Sequence, residues 1–361
     1  MAIVAEGQRG RIYIAPDEAQ IAAADVPMPD DYPQGKLAYY PGHLNTNVYG
    51  LDEFWKLFTN RQLTALTTFS ALVGEAQKKA ESDAVTAGLA DDGVGLADGG
   101  TGARAYGEAV GVYLAFVVDK LTDYHSSICS WHSSRELIRN VFGRQAIPMT
   151  WDYAEANILS DSAGSFNSMI GWIIKAIKEF PAAHFGGHAR QFDAQSDNGM
   201  RGILVSTDPP YYDNIGYADL SDFFYVWLRQ SLRSTYPKLF STMLVPKHEE
   251  LVATPYRENR GKDGAREFFE EGMFSTFKQV NKYAHEDVPV TIYYAFKQSE
   301  TETSNDVEST ASTGWETMLS AIIRSGFSIT GTWPMRTEMA NRNIASGKNA
   351  LASSIVLVCR K

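Results

Sequence analysis

Two consecutive prolines, Pro209 and Pro210, constrain this chain more than any other feature. Each fixes φ near about −65° and removes a backbone donor, so neither a helix interior nor a central strand runs through them. The apolar run Ile203-Leu204-Val205-Ser206-Thr207 comes before them. After them, from Tyr217, come Leu220, Phe223, Phe224, Trp227 and Leu228 at helical spacing. The order is strand, rigid turn, helix, and open α/β sheets place ligands in such turns at the carboxyl ends of strands. Asp208 and Tyr211 flank the prolines. A carboxylate, stiff outward carbonyls and an aromatic face suit a planar amine: the oxygens accept its N–H groups and the ring stacks on the system that carries it.

The rest of the chain divides in a consistent way. Residues 1 to 50 are rich in Pro, Asp, Gly and Tyr and read as an irregular segment, with a short strand at Arg11-Ile12-Tyr13-Ile14. Residues 51 to 185 read as mainly helical. Thr59-Asn60-Arg61-Gln62 has capping-box form ahead of Leu63, Leu66, Phe69 and Val73. A second helix carries Tyr106, Val110, Tyr113, Leu114, Val117 and Leu121, and a third runs from Ser165 to Phe180 with Met169, Trp172, Ile173 and Ile177. Between the first two helices, the glycine-rich stretch 88 to 103 reads as a flexible surface loop. Residues 186 to 361 alternate strand and helix. Strands are expected to end near Phe192-Asp193, to cover Ile203 to Ser206 and Val290 to Phe296, and to close the chain at Phe327 to Thr332 and Ser353 to Val358. Thr313-Gly314-Trp315-Glu316 is expected to cap the last helix and Gly326 to end it. This alternation predicts an α/β fold with a mostly parallel sheet.

Asp208-Pro209-Pro210-Tyr211 is the signature of amino-group methyltransferases that use S-adenosylmethionine. Asp208 through Arg229, Val245-Pro246-Lys247, Glu250-Leu251-Val252-Ala253-Thr254-Pro255-Tyr256 and Trp333-Pro334-Met335-Arg336-Thr337 together resemble one family within that class. It is the large adenine-specific DNA methylases that carry a zinc ribbon in their N-terminal half. The resemblance covers nearly the whole chain and the C-terminal half of the family's length. It implies a Rossmann-like methyltransferase sheet with an antiparallel final strand, over residues 186 to 361. It implies adenine N6 methylation of DNA, with Asp208, Pro209, Pro210 and Tyr211 as the catalytic turn. The family's Phe-x-Gly-x-Gly cofactor motif is not found in the sequence. The resemblance therefore implies that the main S-adenosylmethionine site is supplied by an upstream half or a separate chain. It also implies that an acid ending the preceding strand, here Asp193, holds the cofactor's adenine amine. Asp193 equally suits a turn shared with Ser196 and Asn198.

Weaker candidates surround the turn. Tyr212 and Asn214 are placed in the base pocket, whereas Asp213 more commonly N-caps the next helix. The 93 to 102 glycine cluster follows a polar helix, Ala76 to Ala84, and not a strand, so it does not read as a nucleotide loop. Asp152 and Glu155 read as structural. His184 and His188 are four apart but separated by two glycines, and no metal pattern is found. Lys247, His248, Arg257, Arg260, Lys262 and Arg266 form a basic stretch diluted by Glu249, Glu250, Glu258 and Asp263. Two readings stand for it, a loop near nucleic acid and a solvated surface, with the surface favoured.

Composition narrows the alternatives. With 33 Lys and Arg against 43 Asp and Glu, the net charge is −10. That argues against a protein held on DNA by bulk positive charge and leaves a local groove open. Two distant cysteines, Cys129 and Cys359, build neither a zinc ribbon nor a disulfide framework, and the chain is expected to be cytoplasmic, with no membrane span. Two other classes remain as expectations. One is an inactive or split subunit that acts only with a cofactor-binding partner. The other is a nucleic-acid-binding module of a restriction or phage-defence system that has lost the chemistry.

Overall fold

Helices form in the N-terminal part where caps and apolar spacing coincide. The computed structural model describes residues 2–180, 186–212, 215–295, 305–335 and 354–361. They fall into two compact units, residues 1–184 with 217–247, and residues 185–216 with 248–361.

The first unit opens with an antiparallel hairpin, β1 (Ile3–Gly7) and β2 (Gly10–Ile14), followed by α1 (Glu18–Ala24). The strand expected at Arg11 to Ile14 is therefore present. The hairpin and α1 show more regularity than composition indicated, because Asp17 and Gln20 form a capping box. In α2 (Asn60–Thr86), Thr59 and Gln62 cap the helix reciprocally, as their spacing requires, and Leu63, Leu66 and Val73 are buried. The polar stretch read as a separate helix is the last part of α2.

The partner of α2 is α3 (Ala103–Thr122). The expected stripe is buried only in part, at Val117 and Leu121, while Tyr106 is exposed and the small residues Ala103, Gly107, Gly111 and Ala115 are buried with Val118. A Cβ on Gly107 would lie 2.7 Å from the Gln77 carbonyl oxygen, so glycine permits this close approach of the backbones. α4 (Phe166–Lys178) is capped by Ser165, yet of its stripe only Met169 is buried. α5 (Tyr217–Leu232), the helix after the proline turn, packs with α2 and α3 in this unit and buries Leu220, Phe223 and Trp227. β3 (Ser130–His132) and β4 (Leu137–Arg139) form a second small hairpin.

The second unit is built on a mixed four-stranded sheet. Its strands are β5 (Ser206–Thr207), β6 (Val290–Ala295), β7 (Ser328–Met335) and β8 (Ser354–Arg360), in the order β5-β6-β8-β7. β5 and β6 are parallel, and β8 runs antiparallel to both β6 and β7. The last strand in sequence is thus inserted inside the sheet. Val290, Ile292 and Tyr294 of β6 are buried, as befits a central strand. α6 (Gly261–Tyr283) lays Phe269, Met273, Phe277 and Val280 into the same core, each worth about 1.5–3 kcal/mol of burial.

α7 (Asn305–Arg324) adds Met318, Ala321 and Ile322. It begins before Thr313, so the expected cap there lies inside the helix, whereas Gly326, at φ +94°, ends it as expected. No strand ends at Asp193, which lies in a turn. Arg336 and Thr337 of the family resemblance lie outside the described residues.

Candidate functional site

The proline turn sits at the carboxyl end of β5, where the strand–turn–helix order put it. Its strand is longer in hydrogen bonding than in formal extent. Ile203 donates to the Tyr283 carbonyl and accepts from the His285 amide, and the Val205 carbonyl accepts from Thr291. At the end of this line Asp208 is exposed, Pro209 buried and Tyr211 half-buried. The Tyr211 hydroxyl donates to Asp208 Oδ1 at 3.0 Å. Oδ2 of Asp208 has no hydrogen-bond partner among the described residues, and neither the Pro209 nor the Pro210 carbonyl accepts a backbone hydrogen bond there. One carboxylate oxygen is anchored, and the other is open for an incoming donor.

An aromatic wall supports the turn from inside the sheet. The Tyr211 ring meets Tyr294 of β6 edge-on, with centroids 5.2 Å apart, and Tyr294 lies 5.5 Å from Trp315 of α7. Tyr212 packs edge-on against Phe269, and its carbonyl accepts from the Ala253 amide at 2.9 Å. A Cβ on Gly314 would stand 2.9 Å from Tyr212 Cβ, so α7 can pass this close only with glycine there. Tyr212 is thus a packing residue as much as a pocket residue. Tyr294 and Trp315 were not singled out from sequence. The signal was present in the two-residue period of β6, which turns Tyr294 to the same side as the buried Ile292. Asp213 and Asn214 lie outside the described residues.

Asp193 does not end a strand. Its carboxylate accepts from the Gln195 amide and the Ser196 hydroxyl, both at 3.0 Å, and its carbonyl accepts from the Ser196 amide. It is an exposed aspartate whose two carboxylate oxygens both serve the turn, in line with the turn reading shared with Ser196.

The glycine stretch 88 to 103 carries a set of side-chain caps. Asp92 accepts from the amides of Val94 and Thr101, Asp91 from those of Gly93 and Arg104, and the buried Glu108 from Leu96. These bonds, the Thr101 amide first, hold the Asp92 carboxyl below its ordinary value. The loop joins α2 to α3 and follows no strand, so it offers a nucleotide no phosphate cradle.

Several members of the basic stretch, which spans both units, are paired with carboxylates of their own unit. Lys247 pairs with the fully buried Asp222 at 2.7 Å, while the Asp222 carboxylate also accepts from the Val245 amide. In the second unit Arg257 pairs with Glu250 at 2.9 Å, and Glu258 holds both His248 and Arg260. These two partners, His248 first, lower the Glu258 carboxyl. Arg260 lies over the Phe268 ring at 3.5 Å. Glu155 pairs with Arg61, in keeping with a structural role.

No group of three or more metal-ligating side chains occurs among the described residues, and His184 lies outside them. Cys129 and Cys359 are free and buried, which pushes both thiols up to about 11. Two cavities of about 390 and 370 Å³ in the second unit are lined by α6 with Gln195, and by α6 with α7, and include no residue of the proline turn. Among the described residues no helix is long and apolar enough to cross a membrane. No protein-family profile matches the chain, nor does any curated protein or solved structure.

Proposed function

We propose that this chain supplies the amine-recognising half of an S-adenosylmethionine-dependent methyltransferase acting on adenine N6 in DNA. One observation carries the reading: at the carboxyl end of β5, Asp208 is anchored through one oxygen by Tyr211, with its second oxygen and the proline carbonyls left as acceptors. Two such acceptors suit both N–H groups of an exocyclic amine. Accepting both draws the nitrogen toward tetrahedral geometry and frees a lone pair otherwise delocalised into the ring, an effect of positioning and electrostatics. Tyr211, backed by the buried Tyr294, would give the base an aromatic boundary. The sheet order, with an antiparallel final strand inserted beside β6, supports a methyltransferase-like second half. Because the sequence lacks the Phe-x-Gly-x-Gly motif, the reading gives this chain the target side, with the donor site supplied by an upstream half or a separate chain.

The test is base preference. Single-stranded oligonucleotides carrying one adenine or one inosine, which lacks the amine, compete for the chain in fluorescence anisotropy. Adenine is expected to win by roughly ten-fold, about one charge-assisted hydrogen bond. Asp208→Ala should erase that preference. Equal binding of both bases by the parent, or an unchanged preference in Asp208→Ala, overturns the assignment.

A further inference from the structure

The sheet has two edges, and they are treated differently. β7 carries Pro334 and a register shift between Ile329 and Gly331, two devices that discourage further strand pairing. β5 has neither. The segment Gly202-Ile203-Leu204-Val205-Ser206-Thr207 has no charge and no proline. Its register explains which groups are open. Ile203, the Val205 carbonyl and the β5–β6 pairing of Ser206 with Thr291 direct the odd-numbered backbone groups toward Ala284 and β6. The amides and carbonyls of Leu204 and Ser206 therefore face away from β6, without a backbone partner among the described residues. Beside them the Leu204 side chain is 70 % exposed, although the next residue, Val205, is buried. An unguarded row of donors and acceptors with an exposed leucine is a template for strand addition.

We propose that the open edge of β5 is a docking surface for an extended strand of a second polypeptide, apolar where it covers Leu204 and running parallel to β5. The direction rests on the amine-site reading: only a parallel strand brings its own C-terminal loop beside Asp208, where the opposite side of the reaction must be supplied. Parallel pairing also continues the relation between β5 and β6. Alternating side chains on the incoming strand would bury Leu204 on one face.

The experiment uses the whole chain and a synthetic eight-residue peptide of alternating valine and threonine closed by two glycines. Amide hydrogen exchange is followed by mass spectrometry across residues 202 to 208. The amides of Leu204 and Ser206 are expected to exchange quickly in the chain alone and at least about ten-fold more slowly with peptide. Ser206→Pro removes an outward donor while leaving the Val205 and Thr207 bonds to β6, and should abolish the protection. Leu204→Lys should weaken it. Protection that persists in Ser206→Pro overturns the proposal. So does protection of the chain without peptide, or a dimer in sedimentation that Ser206→Pro dissociates, which would give the edge to a second copy. The outcomes separate from those of the base test. Asp208→Ala should leave strand protection intact, so a lost adenine preference with no peptide protection refutes the edge alone. Protection without any adenine preference refutes the amine site alone.

Discussion

At the residue scale, two neighbouring carboxylates of the first unit are informative. Asp123 is buried but accepts from the Phe142 amide and the Asn140 side chain. Asp119, four residues earlier on α3, has a buried Oδ1 with no hydrogen-bond partner. Burial first, and then the neighbouring Asp123 charge, raise the Asp119 carboxyl well above its usual value of 3.8. The folded state therefore holds a proton that the unfolded state has released, in the window from 3.8 up to the raised value. Stability contributed by this group is present at low pH and is lost as pH rises through that window. Asp119→Asn removes the ionisation. The variant is expected to be more stable than the parent at pH 8 by about 1–3 kcal/mol, the cost of an unpartnered buried group. The gain should shrink toward pH 4. Thermal melts at both pH values check it, and a gain independent of pH refutes the account.

Among the elements, what could be read from sequence followed the range of the signal. The Thr59–Gln62 cap and the Gly326 stop are local, and both were legible. The strand–turn–helix around Asp208 was legible because proline excludes every alternative. The packing face of α3 was legible only at Val117 and Leu121, because glycine and alanine carry no hydrophobic mark, although they set how closely two helices approach. Asp193 was misplaced for a related reason: an aspartate after an apolar residue looks the same at a strand end and in a turn, and only the Gln195 amide and Ser196 hydroxyl decide. The α2–α3 contact gives a paired prediction. At Gly107 the obstacle to a methyl is the Gln77 backbone oxygen, 2.7 Å away, which cannot move alone. At Gly111 the nearest atom is the Gln77 side-chain tip, at 3.0 Å, which can rotate away. Gly107→Ala is expected to cost about 1–3 kcal/mol of overpacking despite alanine's better helix propensity. Gly111→Ala should be neutral or stabilising by up to about 1 kcal/mol. Urea denaturation followed by circular dichroism distinguishes them. Equal effects would mean that backbone approach is not what selects glycine at position 107.

Across the whole molecule, the charge distribution bears directly on how a DNA base would reach Asp208. The chain is acidic at −10, and Lys247, Arg257 and Arg260 of its most basic stretch are engaged by Asp222, Glu250 and Glu258. Each phosphate neutralised by a protein contributes about −0.9 to the slope of log affinity against log salt. With a net charge of −10 and its most basic stretch largely paired, the chain alone is expected to show a slope shallower than about −3 on duplex DNA. Its affinity should be weaker than about 10⁻⁴ M at physiological salt, the lower limit of ordinary non-specific binders. Anisotropy of a labelled 20-base-pair duplex between 50 and 200 mM salt measures both. A slope near −6 or steeper would reveal a basic face and make the chain a DNA-binding unit in its own right. A shallow slope would fit the proposed division of labour, in which this chain holds the amine of a presented base and the polypeptide proposed for the β5 edge grips the phosphates.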